Sequence, residues 1–165
     1  MGAGSTAGYR VHEVLNGADV AVAGTTPEVT GSVVITGGDL ASAHVDVDVA
    51  SIATGKSQRD AYFRGNVVHV DQNPTATFTV DQPVDVPELS GTPVTVPVPG
   101  RMTLAGVTKP VTADLSVVRT ATGVDLSGSV PVAFGDYGVE APSLGFVKVD
   151  DQGAVEFLLH LTQQQ

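Results

Sequence analysis

Apolar and polar residues alternate with a period of two along most of this chain, and that period belongs to strands covered on one face and wet on the other. In "AHVDVDVAS" Val45, Val47 and Val49 share one face, while His44, Asp46 and Asp48 share the opposite one. "TATFTV" groups Ala76, Phe78 and Val80; "VTADLSVV" groups Val111, Ala113, Leu115 and Val117; "VEFLLHL" groups Val155, Phe157, Leu159 and Leu161. One wet face per strand is the mark of antiparallel pairing. Turn signals punctuate the runs: "NG" at Asn16–Gly17, "GGD" at Gly37–Asp39, "QNP" at Gln72–Pro74, "SG" at Ser90–Gly91 and "ATG" at Ala121–Gly123. Their spacing predicts about eight short strands in an all-β sandwich or barrel, with no βαβ units.

A chain of 165 residues with 42% hydrophobic content can build one substantial core, so a single domain is expected over residues 9–162. The small-residue start, residues 1–8, reads as a flexible tail, as do residues 163–165. "PVDVPELSGTPVTVPVP", Pro83–Pro99, keeps its valines in alternation between the prolines and reads as a loop or edge strand within that domain.

Chemistry is sparse. With no cysteine there is no disulfide, thiolate metal site or thiol nucleophile, and the formal charge of −10 repels phosphate backbones, so nucleic acid is not an expected partner. His12, His44, His69 and His160 stand singly, without the H-E-x-x-H spacing of a zinc site. His44, Asp46 and Asp48 share a strand face that could hold a divalent ion, but such a face is ordinarily wet surface. No nucleophile elbow, P-loop or dinucleotide fingerprint is present, which makes a binding protein the expectation rather than an enzyme, with no cofactor beyond a bound ligand.

One stretch breaks the pattern. "SQRDAYFRG", Ser57–Gly65, has the S-x-x-D spacing of a helix N-terminus, an Asp60–Arg64 pair at i,i+4 and a glycine placed to end the helix. The spacing predicts a helix of about two turns, too short to stand alone, docked on the sheet through Tyr62 and Phe63 as a cap.

"GKSQRDAYFRG", "NPTATFTV", "GRMTLAGVTKPVTADLSVV" and "SVPVAFGDYGV" follow in order, and with them the chain resembles the bacterial YceI-like family, the polyisoprenoid-binding domain. The shared elements are Arg59–Asp60 with Arg64, Pro74 with Phe78, the Leu104–Val111 block and Phe134–Gly135; "GYRV" at Gly8–Val11 is similar to the family's first strand. The resemblance implies an antiparallel, lipocalin-like β-barrel with a short capping helix, its interior holding a polyprenyl chain, quinone or other long-chain lipid. It implies an extracytoplasmic protein, periplasmic, secreted or associated with the cell envelope, with membrane proximity through an anchor removed before residue 1. Arg59, Asp60, Tyr62, Phe63 and Arg64 would then shape the mouth and hold a polar head, while Phe78, Leu104, Phe134 and Phe157 would touch the tail. Small inward residues, Gly128 beside Val130 among them, are expected to leave room for it.

The chain also departs from the family. Tyr62 and Phe63 stand where relatives usually carry histidine and leucine, "GNVVHVD" replaces an acidic-aromatic run, and "HEVLNGADVAVAGT" replaces an Asp-x-x-His-Ser pattern, so the polar contact made there in relatives is not carried over. The alternative is an extracytoplasmic structural or protein-interaction module without a lipid, using its acidic face or an edge strand.

Overall fold

The computed structural model describes residues 1–164, and in it one antiparallel sheet curls into a lipocalin-like half-barrel. Its strands are β1 (Thr6–Leu15), β2 (Ala18–Thr26), β3 (Val29–Thr36), β4 (Asp39–Asp48), β5 (Thr75–Val80), β6 (Val94–Leu104), β7 (Val107–Arg119), β8 (Gly123–Ala133), β9 (Ser143–Leu144) and β10 (Val147–Thr162). The spatial order is β2-β1-β10-β8-β7-β6-β5-β4-β3, with the two-residue β9 attached to β10. Ten strands replace the eight or so expected from turn spacing. Part of the difference is β9, too short to show a period, and part is turn chemistry: the β6–β7 hairpin turns on Ala105 and Gly106, both at positive φ, and alanine there is no turn signal. Asn16–Gly17, by contrast, makes the expected two-residue turn with both residues at positive φ.

One boundary moves. The start, residues 1–8, expected as a tail, is bound into the sheet: β1 begins at Thr6, the Gly2 N–H donates to the His160 carbonyl at 2.6 Å, and buried Ser5 accepts from the His160 N–H at 3.0 Å. The alternation of Thr6–Val11 already fits a strand once the low polarity of the start is discounted. At the other end Gln163 and Gln164 follow β10 without strand structure, and Gln165 lies outside the described residues. The proline-rich run divides. Val84 bridges Leu40, while Val94–Pro99 opens β6, paired along its whole length with β7. β5 meets β6 only at Arg101–Thr103, so Pro97 and Pro99, which have no N–H to give, lie where β6 has a single strand neighbour.

The inward faces follow the sequence period, but the interior is not uniform along its axis. Val80, Val96, Val98, Leu115 and Val117 pack solidly at one end with Leu40. Further along β6, Met102 and then Leu104 face open space. Where inward glycines were expected to leave room, aromatic rings occupy it: Phe157 covers Gly128, Phe134 covers Gly153, Phe78 covers Gly100 and Tyr9 covers Gly24, each so close that an added Cβ would come within 2.9 Å of ring carbon. Tyr9 and Gly24, like Phe157 and Gly128, are direct cross-strand partners.

No ladder joins β2 to β3, the two ends of the strand path. The gap is bridged by the 3-10 turn Val49–Ser51 and its flanks: Thr25 and Ala53 exchange two backbone hydrogen bonds of 3.1 Å, and the Asp48 N–H reaches the Glu28 carbonyl at 3.0 Å. Thr26, fully buried, links both sides, its hydroxyl accepting from the Glu28 N–H at 2.9 Å and lying 2.5 Å from the Ser51 hydroxyl. Thr26→Val keeps the shape but leaves the Glu28 N–H without this acceptor, and is expected to lower unfolding stability by about 1–3 kcal/mol in urea melts; an unchanged midpoint would show that the hydroxyl is dispensable.

Candidate functional site

Two adjoining cavities, of about 190 and 80 Å³, occupy the open end of the half-barrel. Either far exceeds the roughly 10–15 Å³ that one water needs. Ala7, Val47, Ala76, Leu104 and Val155 belong to both walls, so the cavities adjoin: an outer chamber under the cap and an inner one that the cap residues do not line. The inner chamber is walled by Phe78, Met102, Phe157 and Leu159 with small neighbours such as Ala113. The outer one is closed by the cap and by the loop at Val139–Pro142. Its wall is valine and alanine for the most part, with Tyr9, Glu13, Arg59, Tyr62, Asn73 and Glu140 as its main polar groups.

The cap forms where "SQRDAYFRG" places it, though by different contacts. Helix α1 (Ser57–Tyr62) runs into a π-helical turn at Phe63–Val67, so Gly65 lies inside the helical segment instead of ending it. Ser57 is the first helical residue, not the cap; Lys56 holds that position and contributes no side-chain hydrogen bond. Asp60 turns inward, only 6% exposed, and accepts from the Thr54 N–H at 3.0 Å and the Thr54 hydroxyl at 2.7 Å, fastening the loop that enters the helix. The Asp60–Arg64 pair is therefore not made. Arg64 donates through Nη2 to the Ile52 carbonyl at 3.1 Å, and its buried Nε has no partner.

Of the residues marked by sequence, Arg59, Tyr62, Phe63, Leu104 and Phe134 line the outer chamber, and Phe78, Leu104 and Phe157 the inner one. Asp60 and Arg64 lie outside both walls and serve the cap. On the outer face Asp46 receives the Thr77 hydroxyl and pairs with His44, while Asp48 accepts from the Ala50 N–H; each carboxylate has its own local partner.

Tyr9 and Glu13 were not among the marked residues. Both project from β1 into the outer chamber, on the side of Ala7 and Val11. The Glu13 side chain is 5% exposed and receives Arg59 Nη2 at 2.6 Å, a long-range ion pair that ties α1 to β1. The signal was present in the sequence: an acid at a position where alternation calls for an apolar residue is a buried carboxylate in search of a partner. Tyr9 stacks on Phe63, ring centroids 4.8 Å apart and tilted by 32°. Burial pushes its phenol up to about 12; Asp60 and Glu13 add to the rise, and Arg59 and Arg64 oppose it.

A curled antiparallel sheet with a short helix over an apolar hollow defines a protein of the lipocalin-like class. The chain belongs to the YceI-like family, whose domain model matches residues 2–161. Among solved structures it is similar to BcnA of Burkholderia cenocepacia, at 20% identity over 91% of this chain and 94% of that one, with a TM-score of 0.71. A polyisoprenoid-binding domain from Saccharophagus degradans, implicated in plant cell wall breakdown, matches at 20% identity over 95% and 97%, with a TM-score of 0.71. A Campylobacter jejuni YceI protein matches at 15% identity over 87% and 86%, with a TM-score of 0.68. No curated protein matches by sequence.

The raised phenol has a measurable consequence. A folded-state value above the ordinary 10 means that the folded chain holds this proton longer; the resulting stabilisation is full below pH 10 and is lost as pH rises through about 12. Tyr9→Phe is expected to remove a late step from the ultraviolet tyrosinate titration and to flatten the fall in stability across that range. A late step that survives the substitution would belong to another of the three tyrosines.

Proposed function

We propose that this protein binds and carries, without catalysis, a long apolar lipid of the isoprenoid type, a polyprenyl chain or quinone, and that it works outside the cytoplasm. The observation that carries the reading is the pair of adjoining chambers, walled by aliphatic and aromatic groups. A slim branched tail suits a space of this kind: each Å² of apolar surface it takes out of water contributes about 25 cal/mol before ordering costs. The ring of Phe157 and the thioether of Met102 would meet its far end, while Tyr62, Arg59 and Tyr9 would stand near its head. Membership of the YceI-like family and likeness to a domain described as polyisoprenoid-binding point the same way. The extracytoplasmic setting rests on the family resemblance.

Native mass spectrometry of the purified chain, followed by organic extraction, is expected to release a hydrophobic lipid of defined mass. Ala76 faces both chambers, so Ala76→Phe should obstruct the passage between them while β5 keeps its pairing. Its expected effect is a loss of at least about tenfold in affinity for geranylgeraniol, with an unchanged circular dichroism spectrum. Extracts free of lipid, together with a wild-type chain that binds neither geranylgeraniol nor squalene, would overturn the carrier reading.

A further inference from the structure

We propose that Glu13 selects the headgroup: by neutralising Arg59 it makes the outer chamber accept an isoprenoid lipid with an uncharged head and reject one ending in phosphate, diphosphate or carboxylate. This inference rests on the carrier reading above and adds a specificity to it.

Among the described residues, Arg59, Glu13 and Glu140 are the charged ones of the outer chamber, and no charged side chain lines the inner one. Arg59 is the single cation among them, and it is already engaged, its Nη2 lying 2.6 Å from Glu13 Oε1. The other arginine of the cap, Arg64, is turned to the Ile52 carbonyl and lies off the wall. The chamber therefore presents two acids against one base, within a chain of formal charge −10.

An anionic head has two ways to enter, and both are unfavourable. It can take Arg59 for itself, which strands the Glu13 carboxylate at 5% exposure with its partner gone. Or it can settle beside the intact pair, where it meets buried Glu13 as a like charge at close range and exposed Glu140 as a second one at the rim. A hydroxyl or carbonyl head pays neither penalty. The phenols of Tyr9 and Tyr62, both on the wall, can donate to it or accept from it without any change of charge. If the Glu13–Arg59 pair served only to hold α1 on β1, its loss would alter stability and leave ligand preference untouched.

The test compares geranylgeraniol, geranylgeranyl diphosphate and squalene, which has no polar head, on delipidated full-length protein by equilibrium binding. Wild type is expected to prefer the alcohol to the diphosphate by at least about tenfold. Glu13→Gln keeps a carbonyl for Arg59 to bond but removes the charge; it is expected to shift the alcohol-to-diphosphate ratio at least about tenfold toward the diphosphate. Asp114→Asn removes one acid from the exposed outer face of β7, away from both chambers, and is expected to leave that ratio as in wild type. Should Glu13→Gln fail to fold by circular dichroism, Glu13→Thr, compatible with a strand, carries the same expectation. A wild type that binds alcohol and diphosphate equally overturns the selector role and leaves lipid carriage standing, and so does a ratio that Glu13→Gln does not move. Failure of all three ligands, squalene included, brings down the carrier reading and this inference with it.

Discussion

Glycines that seat aromatic rings are the constraint on which the hollow depends. A ring on an inward-facing strand position projects into the lumen unless the wall gives way beneath it, and glycine is the residue that lets it lie close. Gly24, Gly100, Gly128 and Gly153 do this for Tyr9, Phe78, Phe157 and Phe134. The rings are drawn back onto the wall, so the space beside them stays open while the rings themselves are half-buried. Alanine and valine supply the remaining wall without reaching across. At the opposite end valine and leucine side chains meet in a solid core, which gives the chain the packing that the hollow end forgoes.

The cap solves a different problem. Helix α1 has six residues, too few to be stable by its own hydrogen bonds. It is held by buried polar contacts that run to other elements: Asp60 to Thr54, Arg59 to Glu13, Arg64 to Ile52. Each such contact repays a desolvation cost only while both partners are present, which fixes the helix in one place instead of letting it slide on the apolar rim. The stack of Tyr9 on Phe63 adds apolar area at the same junction.

Period two sufficed to tell which residues of β4, β5, β7 and β10 face inward, because a strand has only two faces and burial decides between them. The order of blocks around "SQRDAYFRG" led to the family and to part of the chamber wall. What stayed hidden were partners far apart in sequence. The S-x-x-D spacing promised a local cap, yet Asp60 found a better-buried donor in Thr54; Arg64 at i,i+4 from Asp60 lost to a carbonyl; Arg59 reached across 46 residues to Glu13. Local rules describe an exposed helix, and this one is pressed against a sheet. The reading of Gly128 as empty room erred for a related reason, since alternation gives the direction of a side chain but not the cross-strand ring that will lie over a glycine.

The strand path ends at β2 on one side and β3 on the other, and between them stand a turn, a handful of backbone contacts and the Thr26 hydroxyl. A wall zipped all the way round has a girth fixed by its strand number and stagger. Here the circumference has a seam, and opening it strains a few hydrogen bonds instead of a whole ladder. The compliance of the wall is thereby concentrated along a single line.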